Sequence, residues 1–191
     1  MQIRPILAVV AALAAGLSLQ AGAGADTAGD AKKALQVIYA KRDAAEAKKD
    51  LEGSLTGYAP DFVFVSPDGQ KGDMKLLKRR LAPIFALMQT VKAKTQVQSV
   101  VVKGKDAAAT VKTHLEMLIL NPQTQMPQKV AADAVSLDTW GKTSSGWLQK
   151  RMATKSETAT LDGKLVRQQL RLNGDGAKPG AAPKKAMKKA G

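Results

Sequence analysis

Hydrophobic residues recur every three to four positions in the first half of the chain, a period that predicts helices. In the first predicted helix, lysines and Arg42 fall between the apolar positions and are expected to face solvent. A shorter helical segment follows with Leu51, Leu55 and Tyr58, and a third helix carries apolar residues over 74–88. The apolar positions of the first helix are Leu35, Ile38, Tyr39 and Ala45.

From Val91 onward the hydrophobic period changes to two, which predicts long strands joined by turns. Gly104, Gly146 and the pair Asp162-Gly163 mark three of these turns. A short apolar run, Phe62–Val65, comes earlier, ends in a Ser-Pro-Asp-Gly turn and is expected to form an edge strand. Because helices come first and strands after, the pattern predicts an α+β fold with the helices on one face of an antiparallel sheet.

The first residues have the three parts of a secretory signal. Arg4 precedes an apolar run over residues 6–19, and small residues follow at Ala23 and Ala25. The run is shorter than the ~20 residues that a membrane-spanning helix needs, although a membrane anchor is the alternative. We therefore expect residues 1–25 to be a signal peptide, cleaved from a periplasmic or secreted bacterial protein without a later transmembrane segment.

Composition narrows the chemistry that the chain can perform. The 191 residues include no cysteine, which excludes disulfides, thiolate zinc sites and a thiol nucleophile. Only 4% of the residues are aromatic, so aliphatic side chains must build most of the core. The sequence predicts no cofactor and no metal site.

The formal net charge is +14, and part of it lies in residues 174–191. This segment is rich in Gly, Pro, Ala and Lys, a composition typical of a disordered basic tail. Such a tail would bind anionic envelope polymers by counterion release, or would only keep the protein soluble. No base-reading motif is present, so specific nucleic-acid recognition is not expected. The lysines assigned to the electrostatic role are Lys184, Lys185, Lys188 and Lys189.

The succession of elements resembles the nuclear transport factor 2-like superfamily, nearest its SnoaL-like and domain-of-unknown-function branches in bacteria. The resemblance covers residues 31–160, and its most specific part is the last hairpin, SLDTWGKTSSGWLQKR. It implies one domain, over residues 26–173, in which a curved antiparallel sheet wraps around three amino-terminal helices into a cone with a pocket. It also implies a homodimer formed through the outer face of the sheet.

In the ketosteroid isomerase branch of that superfamily, an aspartate at the end of the first strand moves the proton. The matching position here is Ser66, which has no adjacent base, and Asp68 lies in the following turn, where aspartate is common. Asp138 falls where the same branch places a second acid, and Tyr39 where a helix tyrosine points into the cone. For Asp138 the alternative, which strand counting favours, is a cross-strand ion pair with Arg151.

The residues expected to line a ligand pocket are aromatic, with core packing as the favoured alternative for both Tyr39 and Trp140. His114, the only histidine, falls on the opposite side of its strand from Leu115 and Met117, so it is expected outside the core. No acidic partner is expected beside it, which argues against a metal site. The expected pocket residues are Tyr39, Tyr58, Phe62, Phe64 and Trp140.

Together these features predict an exported small-molecule-binding or accessory protein with a pocket for a small apolar or amphipathic ligand. Whether it is an enzyme stays open, and the incomplete acid–base set favours a binding role over strong catalysis. One alternative is an isomerase, cyclase or lyase that uses Asp138 with Tyr39. Another is a binder of envelope polyanions that acts through the lysine-rich tail.

Overall fold

A computed structural model describes residues 25–170 of the chain, which form helices followed by a curved, unclosed sheet. The helices are α1 (Ala25–Ala47), α2 (Leu51–Ser54) and α3 (Met74–Leu87). The strands are β1 (Tyr58–Val65), β2 (Lys71–Asp73), β3 (Met88–Lys103), β4 (Asp106–Leu120), β5 (Pro127–Thr143), β6 (Gly146–Leu161) and β7 (Lys164–Leu170). The sheet has the strand order β2-β1-β6-β5-β4-β3, and β7 pairs with β6.

The predicted α+β class and the curved sheet are confirmed. One ladder differs from the antiparallel expectation, because β1 runs parallel to β6, with Phe64 opposite Met152 and Val65 opposite Ala153. The antiparallel neighbours in this sheet are consecutive in the chain, so a turn or short loop fixes their direction. No hairpin joins β1 to β6, and the parallel direction is therefore free to form.

The short strand β1 was expected at the sheet edge, but it lies one position inside it. Its outer neighbour is β2, a three-residue strand that follows the predicted turn, in which Ser66 N donates to Gln70 O over 2.8 Å. The strand also begins earlier than expected, at Tyr58, and its register with β6 shifts between Tyr58 and Val63. Helix α2 is accordingly shorter than predicted and ends at Ser54.

Helix α1 covers the free edge of β3 with polar side chains. Gln36 donates to Thr95 O over 2.8 Å and accepts from Val97 N over 2.9 Å. Asp43 accepts from both Thr95 N and Thr95 Oγ1, each over 2.8 Å. An edge strand otherwise presents unpaired backbone groups that favour aggregation. The helix therefore closes this edge by hydrogen bonding as well as by apolar contact.

The core lies between the helices and the concave face of the sheet. Under α1, the buried residues Leu35 and Tyr39 pack against Val111 and Trp140. Under α3, the buried residue Ile84 packs in a second, mostly aliphatic cluster. The second cluster continues onto the sheet through Met88, Leu115, Met117, Ile119, Val130 and Ala132.

No helix within residues 25–170 combines the length and apolarity needed to cross a membrane.

The cover over the β3 edge yields a stability prediction. Gln36→Ala removes two hydrogen bonds to strand backbone, and we expect it to lower the free energy of unfolding by about 1–2 kcal/mol. Lys41→Ala is the control, because Lys41 is exposed on the same helix and such changes typically stay within about 0.5 kcal/mol. Urea unfolding of both variants measures the difference. Equal stabilities would contradict the role given to Gln36.

Candidate functional site

A pocket of about 160 Å³ opens between α1, α3 and the concave face of the sheet. Most of its wall is apolar and comes from α3 and from strands β4, β5 and β6. That volume is comparable to the roughly 150 Å³ of a core cavity that accepts one benzene ring. The pocket therefore has room for a ring-sized apolar body. The principal apolar lining residues are Leu81, Ile84, Phe85, Leu115, Met117 and Met152.

Helix α1 supplies the polar end of the pocket. Tyr39, Arg42, Asp43 and Glu46 all line it. Their spacing of three, four and seven residues places them on one face of the helix. The same face continues toward the amino terminus as the buried stripe that includes Leu35. One stripe of α1 thus changes from apolar core to polar pocket lining at Tyr39.

Arg42 was expected in solvent, but it is only 5% exposed. Its Nε donates to Thr56 O over 2.8 Å, and its Nη1 donates to Gln149 Oε1 over 2.5 Å. Its guanidinium carbon lies 3.8 Å from the centre of the Tyr58 ring, a cation–π contact. These contacts replace the hydration that the guanidinium loses when it is buried. They also tie α1 to the start of β1 and to β6.

Gly57 makes room for this arrangement. Its φ of +75° is strained for other residues, and a Cβ there would come within 3.4 Å of Arg42 Nη2. Its carbonyl also accepts from Gln149 N over 2.8 Å. The chain therefore turns tightly beside the guanidinium and presents Gln149 to it.

Tyr39 and Asp138 form a buried hydrogen bond, in which the tyrosine hydroxyl donates to Asp138 Oδ2. Asp138 is 1% exposed and is not among the residues that line the pocket. Burial raises the pKa of Asp138 to about 6, against the opposing effects of the Tyr39 hydrogen bond and the Arg42 charge. Burial, followed by the Asp138 charge, raises the pKa of Tyr39 well above its usual value, so Tyr39 stays the donor.

The predicted ion pair between Asp138 and Arg151 is wrong. Counting back through the turn puts the two residues opposite each other, but the β5–β6 register shifts by one residue between Thr139 and Trp140. Asp138 therefore lies opposite Met152, while Arg151 lies opposite Thr139. The extra residue at this shift is Lys150 of β6, so the side chain of Arg151 moves to the other face of the sheet, whereas the alternation of β5 through Asp138 is unbroken. A β-bulge of this kind has no clear signature in the sequence.

Glu46 differs from Asp43 in what its carboxyl contacts. The carboxylate of Asp43 accepts the two hydrogen bonds from Thr95, whereas Glu46 has no side-chain partner among residues 25–170. Burial and the neighbouring Asp43 charge raise the pKa of Glu46 to about 7, and the Arg42 charge opposes them. Sequence reasoning missed Glu46. The signal was present, since Glu46 lies seven residues after Tyr39 on the same helix face.

The other predicted pocket residues divide into two groups. Tyr58 lines the pocket with Tyr39, whereas Phe62, Phe64 and Trp140 do not. The two phenylalanines are buried in a core cluster with Leu77. Trp140 is fully buried, with its ring centre 5.5 Å from that of Tyr39, so the core alternative describes it. Strand alternation and aromatic character do not distinguish a pocket wall from the core beside it.

His114 is exposed on the convex face of the sheet, as the alternation of its strand predicts. The expectation that it lacks acidic neighbours is wrong. Its Nδ1 lies 3.1 Å from Asp133 Oδ1 and its Nε2 lies 3.9 Å from Glu116 Oε1, because the register places Asp133 directly opposite it. Within residues 25–170, no group of three His, Asp or Glu side chains is arranged to hold a metal ion.

Ser66 and Asp68 lie in the turn after β1. Ser66 is 2% exposed, and its hydroxyl lies 2.6 Å from Asp68 Oδ1 and 3.1 Å from Gln70 O. Asp68 Oδ1 also accepts from Gln70 N over 3.2 Å. Neither residue lines the pocket, and their contacts are those of a structural turn.

The tail lysines Lys184, Lys185, Lys188 and Lys189 lie outside the described residues.

Solved structures resemble this chain at low sequence identity. A candidate scytalone dehydratase of Novosphingobium aromaticivorans matches with a TM-score of 0.57 and 12% identity, over 75% of this chain and 94% of its own. A protein of Kribbella flavida matches with a TM-score of 0.55 and 8% identity, over 74% and 95% of the two chains. A candidate aromatic ring hydroxylase of N. aromaticivorans matches with a TM-score of 0.51 and 16% identity, over 65% and 87%.

These likenesses show the fold alone, because all three identities are below 25%. The chain has the nuclear transport factor 2-like fold, as its sequence predicted. No protein-family profile matches the chain. No curated protein matches it either.

The two carboxyls with raised pKa values predict how stability depends on pH. Asp138 shifts from 3.8 to about 6 and Glu46 from 4.5 to about 7, so folding raises both pKa values. The folded state then binds more protons than the unfolded state between these limits, and the free energy of unfolding falls as pH rises from about 4 to about 7. We expect Asp138→Asn and Glu46→Gln each to reduce this slope.

Urea unfolding at closely spaced pH values measures the slope. Asp30→Asn is the control, because Asp30 is exposed on the same helix as Glu46. Asp138→Asn should act mainly below pH 6 and Glu46→Gln up to pH 7. A slope that neither variant changes would show that these carboxyls do not carry the pH dependence.

Proposed function

We propose that this protein is an exported small-molecule-binding protein that holds one ring-sized, amphipathic ligand in its cone. The supporting observation is the pocket itself, whose apolar wall from α3 and the sheet meets a polar end from α1. An apolar cleft with a few convergent polar groups is the usual form of a ligand site. Its volume of about 160 Å³ suits a compact ligand rather than a polymer or an extended lipid.

Binding fits the geometry better than catalysis by Asp138 with Tyr39. Asp138 does not line the pocket, so it would reach a ligand only through Tyr39. The hydroxyl proton of Tyr39 is directed at Asp138 and is not free for a ligand oxygen. A general acid or base must reach the reacting proton directly or through one water. An isomerase, cyclase or lyase built on this pair would need the hydrogen bond to break.

Export and assembly belong to the same proposal. The signal-like segment over residues 1–25 supports a periplasmic or secreted location, and the lysine-rich segment over 174–191 would attach the protein to anionic envelope polymers.

A homodimer through the convex face of the sheet would bury His114 and Asp133, which are 45% and 54% exposed at their side chains. Such an interface would be polar at this point rather than a continuous apolar patch.

Filling the pocket tests the proposed function. Ala134 lines the pocket from β5, so Ala134→Leu should lower the affinity for toluene at least about tenfold by occupying the space of the ring. Ala131→Leu is the matched control, because Ala131 lies on the same strand with its side chain on the opposite face. Ligand-observed NMR titration measures both affinities. Equal binding to the two variants would place the bound toluene outside this pocket.

The export proposal has its own test. When the full chain is produced in a bacterial host, the protein recovered from the periplasm should begin at Asp26. Replacing Ala23 and Ala25 with lysine should block cleavage, because the peptidase site requires small residues. Intact-mass measurement of the periplasmic and cytoplasmic fractions gives the result. An uncleaved, fully cytoplasmic wild-type protein would contradict export.

A further inference from the structure

The polar end of the pocket offers one hydrogen-bond acceptor and one donor that the fold leaves unused. Glu46 lines the pocket, and its carboxyl has no side-chain partner among the described residues. Arg42 lines it as well, and its buried Nη2 makes no hydrogen bond of normal geometry there, although Nε and Nη1 do. Buried donors are nearly always paired, so an unpaired one beside a pocket points to a ligand atom.

The two other polar side chains that α1 contributes to this end are already engaged. Asp43 accepts the two hydrogen bonds from Thr95, and the Tyr39 hydroxyl donates to Asp138. Tyr39 therefore keeps only acceptor capacity toward a ligand. On α1, the groups that no other side chain engages are thus an acceptor at Glu46 and a donor at Arg42.

Charge limits the ligand further. Arg42 would repel a cationic ligand group, while Asp43, and Glu46 when it is ionised, would repel an anionic one. A neutral group that both donates and accepts satisfies both sides without either repulsion. A hydroxyl has one donor hydrogen and two acceptor lone pairs, which matches this requirement in the smallest volume.

We propose that the ligand is an alcohol or phenol with a ring-sized apolar body, whose hydroxyl donates to Glu46 and accepts from Arg42. This inference rests on the proposed function, because it names the chemical class that the same pocket takes. The apolar body lies against α3 and the sheet, where Ile84, Phe85 and Met117 line the wall. The hydroxyl lies at the α1 end.

Phenol and toluene test this directly, since they share a shape and differ in one hydroxyl. A wholly apolar pocket would favour toluene over phenol by about tenfold or more, because a buried hydroxyl without a partner is costly. The full chain should instead bind phenol at least as tightly as toluene. Isothermal titration or ligand-observed NMR gives both affinities. Benzoate and benzylammonium should each bind more weakly than phenol.

Glu46→Met removes the acceptor while keeping a side chain of similar length. It should weaken phenol binding about tenfold and leave toluene binding unchanged, which also shows that the variant is folded. Glu116→Met is the matched control, because Glu116 lies on β4 outside the pocket lining, and it should change neither affinity.

The outcomes separate the ligand class from the proposed function. Toluene binding tenfold tighter than phenol, or Glu46→Met weakening both equally, would overturn the hydroxyl proposal and leave a binding pocket. Tighter binding of benzoate or benzylammonium would overturn it in favour of an acid or an amine. If neither phenol nor toluene bound the wild-type protein, the proposed function would fail together with the ligand class.

Discussion

Arg42 carries a positive charge into the interior, and within the described residues it has no ion-pair partner to neutralise it. Removing such a charge from water costs several kcal/mol unless other contacts replace its hydration. The replacement comes from the carbonyl of Thr56, the amide oxygen of Gln149 and the face of the Tyr58 ring. These groups belong to different elements of the chain. The guanidinium is therefore stable only when α1, β1 and β6 have assembled around it.

The same charge sets the electrostatics of the pocket. It opposes the burial that raises the pKa values of Asp138 and Glu46, and without it both carboxyls would be still harder to ionise. Asp138 accepts the hydrogen bond from Tyr39 inside the core, so the hydroxyl proton of Tyr39 is not available to a ligand. Glu46 and the unpaired nitrogen of Arg42 offer that chemistry instead.

The sequence predicted the parts of this structure that follow from local periodicity. The helical stripe through Leu35 and Tyr39 and the alternating strands after Val91 lie where the pattern put them. The site was harder to predict, because a bulge in β6, opposite Thr139 and Trp140, decides which residue lies opposite Asp138. Arg42 was misplaced for another reason: arginine is usually exposed, and only its distant partner Gln149 and the ring of Tyr58 make its burial favourable.

The burial of Arg42 is the central claim, and hydrogen exchange at its Nε–H tests it most directly. In NMR spectra of the full chain, this proton should exchange with water far more slowly than that of Arg79, which is exposed on α3, and should show contacts to the Tyr58 ring. Exchange as fast as that of Arg79, without a contact to Tyr58, would mean that the guanidinium lies in solvent. The assembly of α1, β1 and β6 around it would then need another explanation.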